Sequence, residues 1–351
     1  MPPSTYKALV TRTEGESGPE LVKKSLPVPT PGEHQVLVKI IFTAQNPTDV
    51  QSFDGNVFGD DAVLGCDFVG TVEATGPGVT KVRQGMTIAG LVWGGEIAGL
   101  GAYCGYTIAD DRICFPIPEG ASLEQASTIP LAATTAWLAL FSKDCLNIDR
   151  KAKDKEPILI WGGSSSVGNY ATQIATMYGH EVIATCSPRN TDFVRSLGAK
   201  HVFDYNDEKV VENIREAAPK LRLVFDTIGG PTSSETASRA IDPEGGALCT
   251  VRPGKANTEN VTEWTRVTDV LVWTAFLKEH RYGKFYWPVH KEDHELASEL
   301  FEKLPEWLRG RKIKPNNVIV LDGLDDVAKG FQMHRDGKIS GYKIVVGVFD
   351  S

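Results

Sequence analysis

No stretch of the chain approaches the roughly 18 consecutive apolar residues that a membrane-crossing helix needs. The first residues, Met1-Pro2-Pro3-Ser4-Thr5-Tyr6-Lys7, lack the apolar core of a secretory signal. These absences predict a cytoplasmic protein with no membrane partner. Positive charge is also short: 37 Lys and Arg stand against 45 Asp and Glu, a net charge of −8. Such a balance argues against nucleic acid or an anionic membrane surface as partner. Cysteine is sparse and scattered, at Cys66, Cys104, Cys114, Cys145, Cys186 and Cys249. None stands in a C-x-x-C pair, so neither a disulfide framework nor a structural zinc loop is expected. Internal repeats and low-complexity tracts are missing.

What is present begins with length. At 351 residues the chain exceeds the roughly 250–300 at which one core stops growing, so two domains are expected. Up to about residue 125, short β patterns alternate with turns: Val36–Phe42, Gly65–Glu73 ended by Gly76-Pro77-Gly78, Gly85–Gly90 and Tyr106–Ala109. That spacing suggests a compact β-barrel. A helix is expected from Leu123 to Leu140. Strand and helix patterns then alternate: Ile158–Trp161, a helix after Gly168, Val182–Cys186, Thr191–Leu197, Lys200–Phe203, Glu208–Ala217, Leu221–Asp226 and Gly246–Val251. Alternation of this kind indicates a doubly wound parallel sheet. The tail returns to β character at Asn317–Leu321 and Lys343–Phe349, around a helix at Leu324–Gly337. The expected boundaries are 1–125, 126–300 and 301–351, the last rejoining the first.

One turn carries chemistry. The apolar run Pro157-Ile158-Leu159-Ile160-Trp161 breaks at Gly162-Gly163, passes Ser164-Ser165-Ser166 and enters a helix at Val167-Gly168. N–H groups and the dipole at a helix start favour an anion such as a dinucleotide pyrophosphate. Relative to G-x-G-x-x-G counted from Gly163, Ser165 replaces the second glycine and Gly168 keeps the third. About twenty residues on, an NAD site places an acid to bond the ribose 2′-OH. Here no acid lies between Val182 and Asn190; Ser187-Pro188-Arg189-Asn190 stands there instead. A carboxylate would repel a 2′-phosphate, whereas a guanidinium pairs with it, so the expected cofactor is NADPH.

Five stretches, that turn among them, carry a resemblance: Asn46-Pro47-Thr48-Asp49, Gly65-Cys66-Asp67-Phe68-Val69-Gly70-Thr71-Val72 with Gly76, the turn at 162–168, Phe225-Asp226-Thr227-Ile228-Gly229-Gly230, and Gly337-Lys338-Ile339-Ser340-Gly341-Tyr342-Lys343. In this order and spacing the chain resembles the medium-chain dehydrogenase/reductases over nearly its whole length. The resemblance implies a GroES-like β-barrel catalytic domain and a Rossmann domain. Zinc-dependent members have cysteine where this chain has Asn46, and Gly-His-Glu where it has Gly65-Cys66-Asp67; they also carry a four-cysteine loop. Lacking those ligands, the chain resembles the zinc-independent branch. Within that branch it is similar to the fungal trans-acting enoyl reductases of polyketide synthases, through residues 163–166, Cys186–Asn190, Val202-Phe203-Asp204-Tyr205 and the aromatic stretch from Trp273 to Pro288.

By matching position the resemblance implies these roles. Ser164, Ser165, Ser166 and Val167 would bond the pyrophosphate. Ser187, Pro188, Arg189 and Asn190 would hold the phosphorylated ribose, with Tyr205 beside them. Thr48, Asp49, Val50 and Gln51 would approach the nicotinamide, Val251 and Arg252 would reach its amide, and Tyr342 with Lys343 would close over the cofactor. Pro130, Leu131, Ala132, Ala133, Thr134, Thr135, Ala136 and Trp137, with Trp273, Thr274, Ala275, Phe276 and Leu277, would line an acyl pocket.

Reducing a conjugated C=C bond needs hydride from the cofactor, donors for the oxygen that gains charge, and a proton. Asn46, Thr48 and Thr135 are the candidate catalytic residues, no metal being required; the proton donor is left between water and a hydroxyl. Asn46 reads equally as a helix cap before Pro47, and Asp49 leans structural. Lys343 at a strand start has a solvated reading beside its site role. The aromatics Trp264, Trp273, Phe276, Tyr282, Phe285, Tyr286 and Trp287 suit either an acyl pocket or a subunit interface. We favour the pocket, and with it a monomer over a homodimer. His280, His290 and His294 are expected at the surface. Lys278, Arg281 and Lys284 would suit an acidic carrier protein. The expected function is NADPH-dependent reduction of an α,β-unsaturated polyketide thioester. The alternatives are a quinone or enone reductase of the same architecture, and a cofactor-binding protein without turnover.

Overall fold

The computed structural model describes residues 2–13, 18–282 and 285–348. Lys284 and Phe349, both named above, lie outside the described residues, as do the side chains of Tyr282 and Phe285. The chain forms two compact units, Met1–Leu131 with Phe301–Ser351, and Ala132–Leu300.

The first unit opens with a hairpin of β1 (Thr5–Thr13) and β2 (Pro19–Pro27), paired antiparallel from Thr5 opposite Pro27. Then come β3 (Gln35–Ala44), α1 (Pro47–Asp54), β4 (Asp67–Thr75), β5 (Thr87–Leu91), β6 (Tyr106–Asp110), β7 (Cys114–Pro116) and α2 (Leu123–Ala126). The helix expected over Leu123–Leu140 is broken in two: α3 restarts at Pro130 and runs to Phe141. Proline disfavours helical geometry in the residue before it but is accepted at a helix start.

The second unit holds β8 (Ile158–Trp161), α4 (Ser166–Met177), β9 (Val182–Cys186), α5 (Thr191–Ser196), β10 (His201–Asp204), α6 (Val210–Ala217), β11 (Leu223–Asp226), α7 (Ser233–Ser238), β12 (Gly246–Thr250) and β13 (Thr265–Asp269). These six strands form one all-parallel sheet in the order β10-β9-β8-β11-β12-β13. Strand order reverses between β8 and β11, and ligands of such sheets bind outside the carboxyl ends at that switch point. The strands read as continuous apolar runs because helices cover both faces; every residue of β8 and β9 is buried. Leu159, Ile183, Val224 and Leu248 from the sheet pack with Ile214 and Ala237 from the helices and with Ile241 beyond α7.

After the hairpin β14 (His280–Tyr282) and β15 (Phe285–Trp287), the long helix α8 (Lys291–Arg309) leads back to the first unit. His280 and His294, expected at the surface, are instead buried; His294 Nδ1 lies 2.7 Å from the Ala275 carbonyl. His290 is partly covered, with Nε2 2.8 Å from Asp144 and Nδ1 accepting the Asp293 N–H.

The return supplies β16 (Val318–Leu321), α9 (Val327–Arg335) and β17 (Lys343–Gly347). β17 pairs antiparallel with β3, completing a sheet of order β16-β17-β3-β4-β5-β7, with β6 paired to β3. β3 is therefore central, and its sequence QVLVKIIFTA is rich in β-branched residues. Val36, Val38, Ile40, Phe68, Val72 and Ile88 fill the interior of this sheet.

Candidate functional site

At the carboxyl end of β8 the backbone turns sharply. Gly162 has φ +89°, a conformation L side chains rarely adopt, and its N–H donates to Thr185 Oγ1 at 3.0 Å. The Gly163 N–H donates to the Thr185 carbonyl at 2.8 Å, tying the turn to β9. Ser165 caps α4, its Oγ accepting the Gly168 N–H at 2.9 Å. Thr227 donates its one hydroxyl proton to the Trp161 or Gly162 carbonyl, so the 2.8 Å contact with Ser165 is donated by Ser165. The Ser165 hydroxyl is thus committed within the protein. The groups left open at this helix start are the first-turn N–H groups of Ser166 and Val167, which have no intrahelical acceptor, and the half-buried Ser164 and Ser166 hydroxyls.

A Cβ on Gly168 would stand 2.2 Å from the Gly162 carbonyl oxygen. This is the close helix-to-strand approach that the third glycine of a dinucleotide turn permits. The residues therefore fit a dinucleotide. G168A is expected to lose about 1–3 kcal/mol of stability through overpacking and to weaken dinucleotide binding with it; urea unfolding and cofactor titration check both.

The other candidate residues of this unit gather at the same sheet edge. Cys186 of β9 pairs with Asp204 of β10, so Ser187 and Tyr205 each follow a paired strand end. Asn190 Nδ2 donates to Ser187 Oγ at 3.2 Å, and Pro188 opens a single 3-10 turn. Arg189 on that turn is exposed and, among the described residues, has no ion-pair partner; Tyr205 is 46% exposed. Val251 follows β12, its N–H on the Asp226 carbonyl. Arg252 donates from Nε to the Gly229 carbonyl at 2.9 Å, as does Asn257 Nδ2. Asp226 holds the same turn from below, accepting the Ile228 and Gly229 N–H groups and the Ser233 and Ser234 hydroxyls.

In the first unit the motif residues build a buried polar cluster. Asp67 is 0% exposed and accepts from Lys343 Nζ at 2.7 Å, Asn46 Nδ2 at 2.9 Å and the Leu131 N–H at 2.7 Å. Lys343 is 2% exposed and also reaches the Thr128 carbonyl at 3.4 Å, so the solvated reading of this lysine is corrected. It starts the inner strand β17, with its side chain directed into the unit. Asn46 spends its amide hydrogens on Asp67 and the Ala44 carbonyl, so it is a positioning residue here and not a free donor.

Asn46 stands at the N-cap of α1, as its cap reading expected, and Asp49 completes a capping box by accepting the Asn46 N–H at 2.8 Å. It also accepts the Tyr103 hydroxyl at 3.0 Å and the Cys66 thiol at 3.2 Å. Burial raises its pKa to about 6, against these lowering bonds. Burial and then the Asp49 charge push the Cys66 thiol and the Tyr103 phenol up as well. Because the folded value lies above the unfolded one, Asp49 supports the fold below about pH 4 and loses that contribution as pH rises through about 6. Relative to D49N, the wild type should lose stability across this window and by no more outside it, as urea titrations at stepped pH would record.

Of the helix α1 residues, Asp49 and Val50 are buried, Val50 against Leu64 and Phe331, while Thr48 is half-buried and Gln51 exposed. Tyr342 is half-buried with its hydroxyl on the Lys338 carbonyl. Pro130 and Leu131 are buried in the first unit; Ala132, Ala133, Thr134, Thr135, Ala136 and Trp137 are buried in the second. Trp137 is wholly enclosed, its indole N–H on the Leu296 carbonyl at 2.7 Å and its ring edge-on to Phe141 and Tyr178. That makes Trp137 a core anchor instead of a pocket wall. Trp273 and Phe276 are half-buried and lie 6.2 Å apart, Thr274 donates to Asp293 at 2.6 Å, Ala275 is buried and Leu277 is exposed.

Sequence reasoning missed Tyr103 and the Lys343–Asp67 pair. It also missed His334 on α9, which burial and the Lys343 charge hold neutral by lowering its pKa to about 4. An acid and a lysine 276 residues apart carry no local signal.

A model of the alcohol dehydrogenase GroES-like domain matches residues 32–119, and one of the zinc-binding dehydrogenases matches 166–274. The donor atoms here do not suit zinc: Asp67 is taken by an ammonium, an amide and a backbone N–H, and the Cys66 thiol donates to Asp49. Among the described residues, no three His, Cys, Asp or Glu stand together as a ligand set. A zinc-type alcohol dehydrogenase-like protein of Schizosaccharomyces pombe is 30% identical over 95% of this chain and 98% of its own. A trans-enoyl reductase of Alternaria alternata is 30% identical over 97% and 98%, and one of Gibberella fujikuroi 33% over 88% and 90%. Among solved structures, an alcohol dehydrogenase superfamily protein from Novosphingobium aromaticivorans superposes with a TM-score of 0.75 at 24% identity, covering 98% of this chain and 100% of that one. The CurK enoyl reductase gives 0.75 at 19% identity over 98% and 99%. With a GroES-like unit, a Rossmann-type unit and relatives aligned over nearly its full length, the chain belongs to the medium-chain dehydrogenase/reductases, a family of oxidoreductases that use a nicotinamide cofactor.

Proposed function

We propose that the chain is an NADPH-dependent enoyl reductase that works without zinc. Its substrate is an α,β-unsaturated thioester carried by a polyketide synthase, on which it acts in trans, as a cytoplasmic monomer. Residues 1–125 and 301–351 are the catalytic domain, and residues 126–300 bind NADPH. The observation that carries this reading is the Asp67 cluster. A lysine ammonium satisfies the carboxylate that would otherwise face a metal, in a chain whose full-length relatives include trans-enoyl reductases.

The bound cofactor supplies hydride. The first turn of α4 holds its pyrophosphate through the Ser166 and Val167 N–H groups and the Ser164 and Ser166 hydroxyls. Arg189, with Ser187, Pro188, Asn190 and Tyr205, holds the phosphorylated ribose. Thr48, Gln51 and Tyr342 would serve the nicotinamide end from the first unit, and Val251 and Arg252 would serve it from the second. Asn46, Asp49 and Lys343 position α1 and β17 for this. The half-buried Thr48 hydroxyl makes no hydrogen bond among the described residues and is suited to an oxygen gaining negative charge. Thr135 is the second candidate, and the half-buried Trp273 and Phe276 rings, with Leu277, provide apolar surface for the acyl chain.

The test is consumption of NADPH with a crotonyl thioester and, separately, with a quinone. Turnover of the thioester and not the quinone is expected. Quinone turnover alone would transfer the chain to the quinone reductases, and tight NADPH binding with neither turnover would make it a non-catalytic binder.

A further inference from the structure

Within an acidic chain, one segment is strongly basic. Between residues 303 and 314 stand Lys303, Arg309, Arg311, Lys312 and Lys314, against the single acid Glu306. Arg309 sits in the last turn of α8, where a cation complements the helix dipole. Arg311, Lys312 and Lys314 lie beyond the helix, so the dipole does not account for them.

The segment is a built turn. Trp307 and Ile313 are buried and anchor it, the Arg311 N–H donates to the Leu308 carbonyl and the Lys312 N–H to that of Trp307. Arg311 holds φ +53°, which a glycine would adopt more readily. Three of the cations gather at the one acid: Lys312 pairs with Glu306 at 2.8 Å, and Lys312, Lys303 and Arg309 together keep the Glu306 carboxyl below its usual range. Arg309 and Arg311 are exposed and, among the described residues, have no ion-pair partner. Four residues on, β16 forms the outer strand of its sheet and exposes Ile319 and Val320. A cationic rim beside an apolar strip is the anatomy of a protein interface. The opposite overall charge of the chain disfavours a long polyanion or an anionic membrane, and tolerates a compact acidic face.

We propose that Arg309, Arg311, Lys312 and Lys314, with Ile319 and Val320, dock the acidic face of a partner protein. Resting on the function proposed above, that partner is the acyl-bearing carrier domain, whose approach this rim steers.

The test compares wild type, R309E/R311E and R309A/R311A on two substrates: crotonyl loaded on an acidic carrier domain, and crotonyl-N-acetylcysteamine. The charge reversal should raise the KM for the carrier-bound substrate about tenfold or more, the alanine pair by less, with the small thioester unaffected. For the wild type, the carrier preference should shrink with added salt. Unchanged KM values on the carrier would overturn the proposal, as would an equal loss on both substrates. Binding of phosphatidylserine vesicles or duplex DNA through these arginines, without carrier binding, would also overturn it. If the wild type reduces neither thioester, the proposed function fails; calorimetric titration of the carrier domain, with and without R309E/R311E, then tests the surface by itself.

Discussion

K343M should lower the unfolding free energy by about 3–5 kcal/mol, the range found when one partner of a buried ion pair is removed. Asp67 would keep only the Asn46 amide and the Leu131 N–H, and its charge would stand uncompensated in an interior that excludes water. Adding D67N should recover more than half of the loss, because a buried pair removed together costs far less than one removed singly. Urea titrations give both values. A K343M midpoint equal to that of the wild type, at the same m-value, would show that the ammonium does no structural work and would remove the argument that it stands in for a metal.

R189A should weaken NADPH binding about ten- to a hundredfold and leave NADH within a factor of two, as expected for losing a charged hydrogen bond of roughly 1.5–3 kcal/mol. The residue stands on the turn that follows β9, no acid stands between Val182 and Asn190, and Arg189 carries no ion pair among the described residues. A guanidinium so placed is idle in the free protein and pairs bidentately with a phosphate. Because the side chain is exposed, the discrimination should decline as ionic strength rises. Calorimetry with both cofactors, at low and at physiological salt, decides the matter. Equal losses for NADPH and NADH would place Arg189 elsewhere on the dinucleotide.

The parallel sheet was legible because its strands are short apolar runs set between amphipathic helices, a pattern that survives without tertiary information. Ile158–Trp161 and Val182–Cys186 have the expected bounds. The β1–β2 hairpin was not expected: PELVKKSLP lacks a clean alternation, and its exposed positions tolerate lysines and a serine. The long helix α8 also escaped notice, with Pro305 inside it and a polar face along most of its length. Of the candidate residues, the glycine-serine turn and the Ser187–Asn190 segment were legible as strand-end motifs. Val50 and Trp137 read as site residues because their motifs are local, whereas their burial depends on Phe331 and Leu296, far away in the chain.

By itself, then, the order of residues determined the two-unit architecture, the glycine-serine turn after β8 and the absence of an acid after β9. Each is a matter of neighbours within about twenty positions, where backbone geometry and side-chain periodicity act directly. Tertiary structure alone decided that Lys343 is enclosed with Asp67, that the Asn46 amide is spent on Asp67, and that the Ser165 hydroxyl reaches Thr227. Those outcomes turn on which donor reaches which acceptor once distant strands are adjacent, and in a water-poor interior each polar group must find its partner there.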